Sequence, residues 1–162
     1  MRYFLSIAAL CLSLPAYAQG PDTVMVKQIF QDWEVNCAER GEVRECSINQ
    51  QIRTQANEVI AVVNGTISKD GATIIEFGLP VMMDLTTPVS LTVDGQQLST
   101  LEYNTCNNRA CFIVREDDEV LLKSFREGET SLLTMESYAG QSVQIAISLR
   151  GFSDAIDSLM VE

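Results

Sequence analysis

The sequence predicts a mainly-β domain of antiparallel strands, in a sandwich or barrel, with one or two short helices. Three observations carry this expectation. Apolar residues recur at every second position in one stretch after another, which is the period of a half-buried strand. Turn dipeptides separate those stretches at short intervals, as they do in all-β folds. The chain also opens on an export signal and then carries an even number of cysteines, the pattern of an exported domain held by disulfides.

The leader comes first. MRYFLSIAALCLSLPAYAQG places Arg2 ahead of an apolar run from Tyr3 to Leu14, then Pro15 and Ala16-Tyr17-Ala18. That is the layout of a secretory signal peptide over residues 1–18, with cleavage expected after Ala18. The run is too short for a membrane span, and no later stretch is long and uninterrupted enough for one. Cys11 lies within the leader behind Leu10, where a lipoprotein signal would place a small residue. It therefore reads as a discarded leader residue, with a lipid anchor as the alternative. Removing eighteen residues from 162 leaves a mature chain of 144, a single domain over 19–162. Its expected location is the periplasm or cell envelope, or outside the cell.

The strands follow in order. In DWEVNC, Trp33, Val35 and Cys37 share one face; in CSINQQI, Cys46, Ile48 and Ile52 do so. VIAVV (59–63) is short, apolar and β-branched. Ile75, Phe77 and Leu79 alternate, as do Val89, Leu91 and Val93. The cleanest alternation is Val143, Ile145, Ile147 and Leu149. Asn64-Gly65, Asp70-Gly71 and Asp94-Gly95 read as turns, the last as a tight hairpin. Pro80 and Pro88 bracket a loop, since neither can donate to a central ladder.

Two stretches leave the period of two. EDDEVLLKSFREG has acidic residues first, then Leu121, Leu122 and Phe125, then Lys123, Arg126 and Gly128 towards its end. Those are helix start and stop signals. GFSDAIDSLM spaces Phe152, Ile156, Leu159 and Met160 as a helix does, with Ser153 as its expected N-cap, and should close one edge or end of the sandwich.

The mature cysteines are Cys37, Cys46, Cys106 and Cys111. Four cysteines allow three connectivities, and sequence alone does not choose among them. Chain geometry favours Cys37 with Cys46 and Cys106 with Cys111. The second pair flanks four residues, a normal hairpin loop, and antiparallel partners lie within disulfide reach. The first pair flanks a longer polar loop containing Gly41. Under the second reading, Asn107, Asn108 and Arg109 become a rigidly held loop tip.

Composition narrows the chemistry. There is no histidine, which removes the commonest general base, the histidine-dependent nucleophile systems and most zinc sites. The cysteines lack the CxxC spacing that metal or redox pairs usually show. No metal or cofactor is expected. Losing Arg2 with the leader takes the formal charge from −11 to −12. No basic cluster marks a nucleic-acid surface. Glu116-Asp117-Asp118-Glu119 reads as a solvated face or helix start, with a cation site as the alternative. Trp33 reads as core before ligand platform, and Met82-Met83 as packing before a thioether site for copper. Two carboxylates could hydrolyse glycans, but no two are singled out.

At this point the chain resembles a known family. FQDWEVNC (30–37), CSINQ (46–50), FGLPVMMDLTTPVSLTVDGQ (77–96), CNNRACFI (106–113) and ISLRGFSDAIDSL (147–159) are similar, in that order, to the invasion-associated locus B family of exported bacterial proteins. The resemblance covers nearly all of the mature chain. It implies an immunoglobulin-like β-sandwich in the periplasm or cell envelope, and no enzyme activity. In some pathogens the family is linked to entry into host cells. One departure stands out. The family pattern has a glycine soon after the Leu-Pro step, as in LPLGV, whereas Val81-Met82-Met83 follow Leu79-Pro80 here. A loop needing positive φ would then be built differently.

The expected function is a non-catalytic envelope protein that binds a protein or envelope component, with host-cell invasion as a narrower role. The alternative is a histidine-free glycan hydrolase working on two carboxylates. The tip Asn107, Asn108 and Arg109 is the expected contact.

Overall fold

A computed structural model of the chain describes residues 23–160. The leader expected over 1–18, its cleavage point and Cys11 lie outside the described residues. Eleven strands and two helices follow one another as β1 (Val24–Phe30), β2 (Trp33–Arg40), β3 (Val43–Arg53), β4 (Val59–Ile67), β5 (Thr73–Leu79), β6 (Val89–Val93), β7 (Gln96–Leu101), β8 (Thr105–Cys106), β9 (Cys111–Glu116), α1 (Glu119–Glu127), β10 (Thr130–Glu136), β11 (Ser142–Ser148) and α2 (Phe152–Ser158). All described pairings are antiparallel. One sheet runs β1-β2-β3-β4-β5-β9-β8 and the other β11-β10-β6-β7. Their inner faces share one buried core, so the fold is the expected immunoglobulin-like sandwich.

The alternation read from sequence sets which face is buried. Trp33, Val35, Ile48, Val63, Ile75, Phe77, Leu79, Leu91, Ile145 and Ile147 all point into the core. The helices add to the same layer. Trp33 meets Phe152 edge-on at 5.1 Å, Phe152 meets Phe125 at 5.4 Å, and Phe125 meets Phe77 at 6.2 Å. This aromatic chain joins β2, α2, α1 and β5, and such pairs contribute beyond their buried area.

Both disulfides are the local ones. Cys37 and Cys46 face each other across β2 and β3, and Cys106 and Cys111 across β8 and β9, each with Cα atoms 4.0 Å apart. Asp94-Gly95 forms the tight hairpin, with φ of +48° and +80°. Asp118 caps α1, its carboxylate accepting from the Leu121 N–H at 3.0 Å. The acidic run is therefore a helix start. Trp33 is core, with its indole donating to the Ser148 carbonyl at 3.0 Å.

Three expectations are overturned. The residues between Cys37 and Cys46 are not a long loop: β2 runs to Arg40 and β3 starts at Val43, so only Gly41 and Glu42 make the turn. Asn64-Gly65 is not a turn but lies inside β4. Gly65 is there for packing: a Cβ would stand 2.7 Å from Ile48 Cγ1 on the inner face. Ser153 is not the N-cap of α2. Gly151 holds that position at φ +87°, and the Ser153 hydroxyl donates to the Arg126 carbonyl instead.

Strands β1, β7 and β10 lack a clean alternating signal in the sequence. In β10 the inward positions are Ser131, Leu133 and Met135. A serine in that row, beside the adjacent Leu132 and Leu133, masks the period.

One buried polar residue holds the two sheets together. The Gln50 side chain, 8% exposed, donates to the Ser148 carbonyl at 2.9 Å and accepts from the Ser148 N–H at 3.0 Å. It takes both backbone bonds that a further strand would take, and so closes part of the β11 edge.

Candidate binding site

The β8–β9 loop is fixed from several directions. The disulfide closes it at its base. The Asn107 carboxamide oxygen accepts from the backbone N–H groups of Arg109 and Ala110 at 2.8 and 2.9 Å, and the Asn107 N–H donates to the Ala110 carbonyl at 2.9 Å. This is an Asx-type turn, the local bond that asparagine makes in preference to ladder bonding. Below it, the Asn104 N–H donates to the Phe112 carbonyl at 2.8 Å, and the Asn104 side chain accepts from the Val114 N–H. Of the three predicted tip residues, Asn107 is thus occupied in holding the loop. Asn108 and Arg109 are exposed and presented by it.

Arg109 stands at the rim of a pit that the sequence did not single out. On the outer face of the larger sheet, Val62, Gly78 and Phe112 lie in one row across β4, β5 and β9. Gly78 has no side chain, so the row has a gap between its two apolar neighbours. Ile60 and Pro80 complete the walls of a cavity of ≈ 300 Å³. Ile60 is the extra residue of a β-bulge, because β4 skips it where Ile52 pairs with Ala61 and Arg53 with Val59. Bulges of this kind re-aim a side chain. One sequence signal was available. A glycine inside a strand often marks a place where something approaches closely, and Gly78 sits in TIIEFGL.

A polar row runs beside the pit. Asn49 donates to Asn64 at 3.0 Å, and Asn64 donates to the Glu76 carboxylate at 3.2 Å. A wider groove of ≈ 880 Å³ lies between the β2–β3 and β4–β5 turns, against Leu159.

The carboxylates whose titration is shifted are all shifted down. The Ser148 hydroxyl and the Arg150 guanidinium hold Asp32 below the usual carboxylate range. Lys27 does the same for Glu34. Thr86 and Thr87 do so for Asp84. For Asp118, burial works upward but is outweighed by the Leu121 N–H and Arg115. None of these four is the raised acid that a two-carboxylate hydrolase needs. Met82 and Met83 do not form a thioether pair: Met83 packs against the core, while Met82 is 70% exposed. Among the described residues no three of His, Cys, Asp and Glu are grouped to hold a metal ion. No described helix is long and apolar enough to cross a membrane.

A family model described as "Invasion associated locus B (IalB) protein" matches residues 33–160. The chain belongs to the IalB family. Two Invasion protein B homologs, from Brucella abortus strain 2308 and from Brucella abortus biovar 1 strain 9-941, are each 27% identical over 162 residues. Each match covers 95% of this chain and 87% of the relative. The crystal structure of invasion associated protein B from Bartonella henselae matches with a TM-score of 0.73 at 21% identity, over 83% of this chain and 95% of that one. At that identity the likeness is one of fold.

Two of the IalB-like stretches in the sequence meet at a single junction. Residues 30–37 contribute the β1–β2 turn, and residues 147–159 contribute the end of β11 and all of α2. The Asp32 carboxylate accepts from the Ser148 hydroxyl at 2.6 Å and from Arg150 at 2.8 and 3.0 Å. Gly151 lies so close to Phe30 that a Cβ would stand 2.1 Å from the Phe30 carbonyl oxygen. Trp33 and Phe152 meet edge-on in the core. These two stretches tie the β1–β2 turn to α2, and the pit draws on two others: Gly78 and Pro80 come from 77–96, Arg109 and Phe112 from 106–113.

Proposed function

We propose that this chain is an exported, non-catalytic binding protein of the cell envelope, formed as one domain over 19–162 after the leader is removed near Ala18. On this reading it engages a protein or envelope component, and any part in host-cell invasion follows from that binding. The Invasion protein B homologs support the narrower role through their name alone.

The observation that carries the reading is the pairing of a rigid tip with a pit. A disulfide and an Asx turn hold the backbone at Asn108 and Arg109 in place, so only side chains remain to be ordered when a partner arrives. The apolar gap over Gly78 supplies area to bury beside them. Sandwich loops held by a fixed scaffold are common binding elements.

The test is affinity capture from envelope fractions with the mature protein, before and after disulfide reduction. The reading predicts one recovered component that is lost when Cys106–Cys111 is reduced. Recovery of nothing, together with turnover of a glycan substrate by the pure protein, would replace it with the hydrolase alternative.

A further inference from the structure

Arg109 differs from every other described arginine. Arg115, Arg126 and Arg150 pair with Asp118, Asp157 and Asp32. Arg44 pairs with Glu39, Arg40 donates to Thr23, and Arg53 donates to the Asn57 carbonyl. Among the described residues only the Arg109 guanidinium has no hydrogen-bond or ion-pair partner. The site is also not solvated on all sides. Arg109 lines the pit whose floor is Gly78 and whose walls are Ile60, Val62, Pro80 and Phe112.

We propose that this pit and Arg109 together recognise a peptide segment carrying an apolar side chain next to a carboxylate. This deepens the binding reading above and rests on it. The apolar side chain fills the gap over Gly78, and the carboxylate pairs with Arg109. A guanidinium offers a planar fork of donors that matches a carboxylate in two-point contact. The polarity of the bound segment follows from the neighbouring row. Glu76 lies two residues before Gly78 on β5, opposite Asn64 and away from the β8–β9 loop; it would repel a second carboxylate, so the acid of the ligand sits towards Arg109.

The size of the pit selects among anionic ligands. At ≈ 300 Å³ it stands at the small end of ligand pockets, roughly 300–1,000 Å³. It suits one side chain and gives no channel for an acyl chain. β4 and β5 are paired on both sides, and β9 is paired on both sides at Cys111 and Phe112, where it borders the pit. A partner therefore gains nothing from strand addition there, and specificity falls to side chains.

The test is a two-dimensional NMR titration of ¹⁵N-labelled mature protein. The probe is a blocked tetrapeptide, Ser-Phe-Glu-Ser, with Gln-for-Glu and Ala-for-Phe analogues and with dodecanoate as the lipid-like control. The Phe-Glu peptide should move the amide signals of Val62, Gly78, Arg109 and Phe112 and saturate. The Gln analogue should bind about fivefold more weakly, the ratio expected for a partly exposed ion pair. Arg109→Gln should weaken the Glu peptide by the same factor and leave the Gln analogue unchanged, as coupling between two partners requires. Gly78→Leu, placed where φ is ordinary and a Cβ meets only van der Waals contacts, should abolish the shifts by filling the pit. Should Gly78→Leu fail to fold, Arg109→Gln decides alone, because that side chain has no partner to lose.

Equal binding of the Glu peptide to wild type and Arg109→Gln overturns the proposal. So do shifts produced by dodecanoate but not by the peptide. If the peptides leave the pit unmoved while affinity capture still recovers its partner from Arg109→Gln, this assignment falls and the broader reading stands. If capture fails with wild type while the peptide binds, the broader reading falls and the site stands as a peptide pit without a cell-envelope partner.

Discussion

Met82 holds a left-handed backbone, φ +69°, with its side chain 70% exposed. It follows Leu79-Pro80-Val81, at the step where the family pattern carries glycine. The departure visible in the sequence therefore did not remove the positive φ; a methionine adopts it. A residue with a Cβ pays roughly 1–2 kcal/mol there, and glycine would instead lose about 0.5–1 kcal/mol of chain entropy. Met82→Gly should thus raise stability by up to about 1 kcal/mol, because little side-chain burial is lost. Urea unfolding reads this as a higher midpoint at unchanged slope. A lower midpoint would show that Met82 packs usefully despite its exposure. Gln50 gives the complementary lesson. Its neighbours Ile48 and Ile52 were legible as core, but a glutamine in that row reads as noise until Ser148 is placed opposite it. A buried polar partner nearly a hundred residues away leaves no local signal.

Elements were legible where one face is uniformly apolar. β2, β5, β6 and β11 show this, and so does α1, whose acidic start and glycine stop match its observed bounds. The failures are physical. Gly65 imitates a turn glycine, yet it serves the close approach of Ile48. The cap of α2 is set by the chain crossing Phe30, which the sequence around Ser153 does not contain. Gly151→Ala tests that crossing, since it combines φ +87° with a Cβ 2.1 Å from the Phe30 oxygen. The variant should lose at least about 3 kcal/mol or fail to accumulate as folded protein, because both backbone strain and overlap act together. A wild-type melting curve would mean that the β1–β2 turn moves away freely. The β8–β9 staple is a smaller matter. Replacing Cys106 and Cys111 together by serine should cost about 2 kcal/mol in the chain-entropy model. It should also free the tip without unfolding the sandwich, which near-ultraviolet circular dichroism of Trp33 can confirm. A collapse of that signal would assign the disulfide a part in the core.

Across the whole molecule, acidity sets the response to pH. Asp32, Glu34, Asp84 and Asp118 are held below their ordinary values by donors in the fold. A carboxylate depressed on folding contributes stability that is present above its unfolded value and lost as pH falls through the folded one. Net repulsion works the other way between neutrality and the isoelectric point, ≈ 4.3, since protonation there relieves excess negative charge. Stability should therefore pass through a maximum between about pH 4 and 5 and fall below it. Asp32→Asn should flatten the acid limb. Stability that rises steadily from pH 4 to pH 2 would contradict the depressed carboxylates. At this scale the fold was more legible than the site. Fold-determining stretches are local and apolar, and two of them meet at the Asp32–Ser148–Arg150 junction. The pit depends on the register of β4, β5 and β9 and on one missing side chain at Gly78, which become neighbours only after folding.

Partner contact is expected at the Asn108–Arg109 end of the larger sheet. A photo-crosslinking residue at Asn108, compared in intact envelopes with the same residue at Asp70 in the turn at the opposite end of β5, tests that placement directly. Position 108 should give a discrete adduct that disappears with Arg109→Glu, and position 70 none. Equal adducts from both positions, or an adduct at 108 indifferent to Arg109, would contradict it.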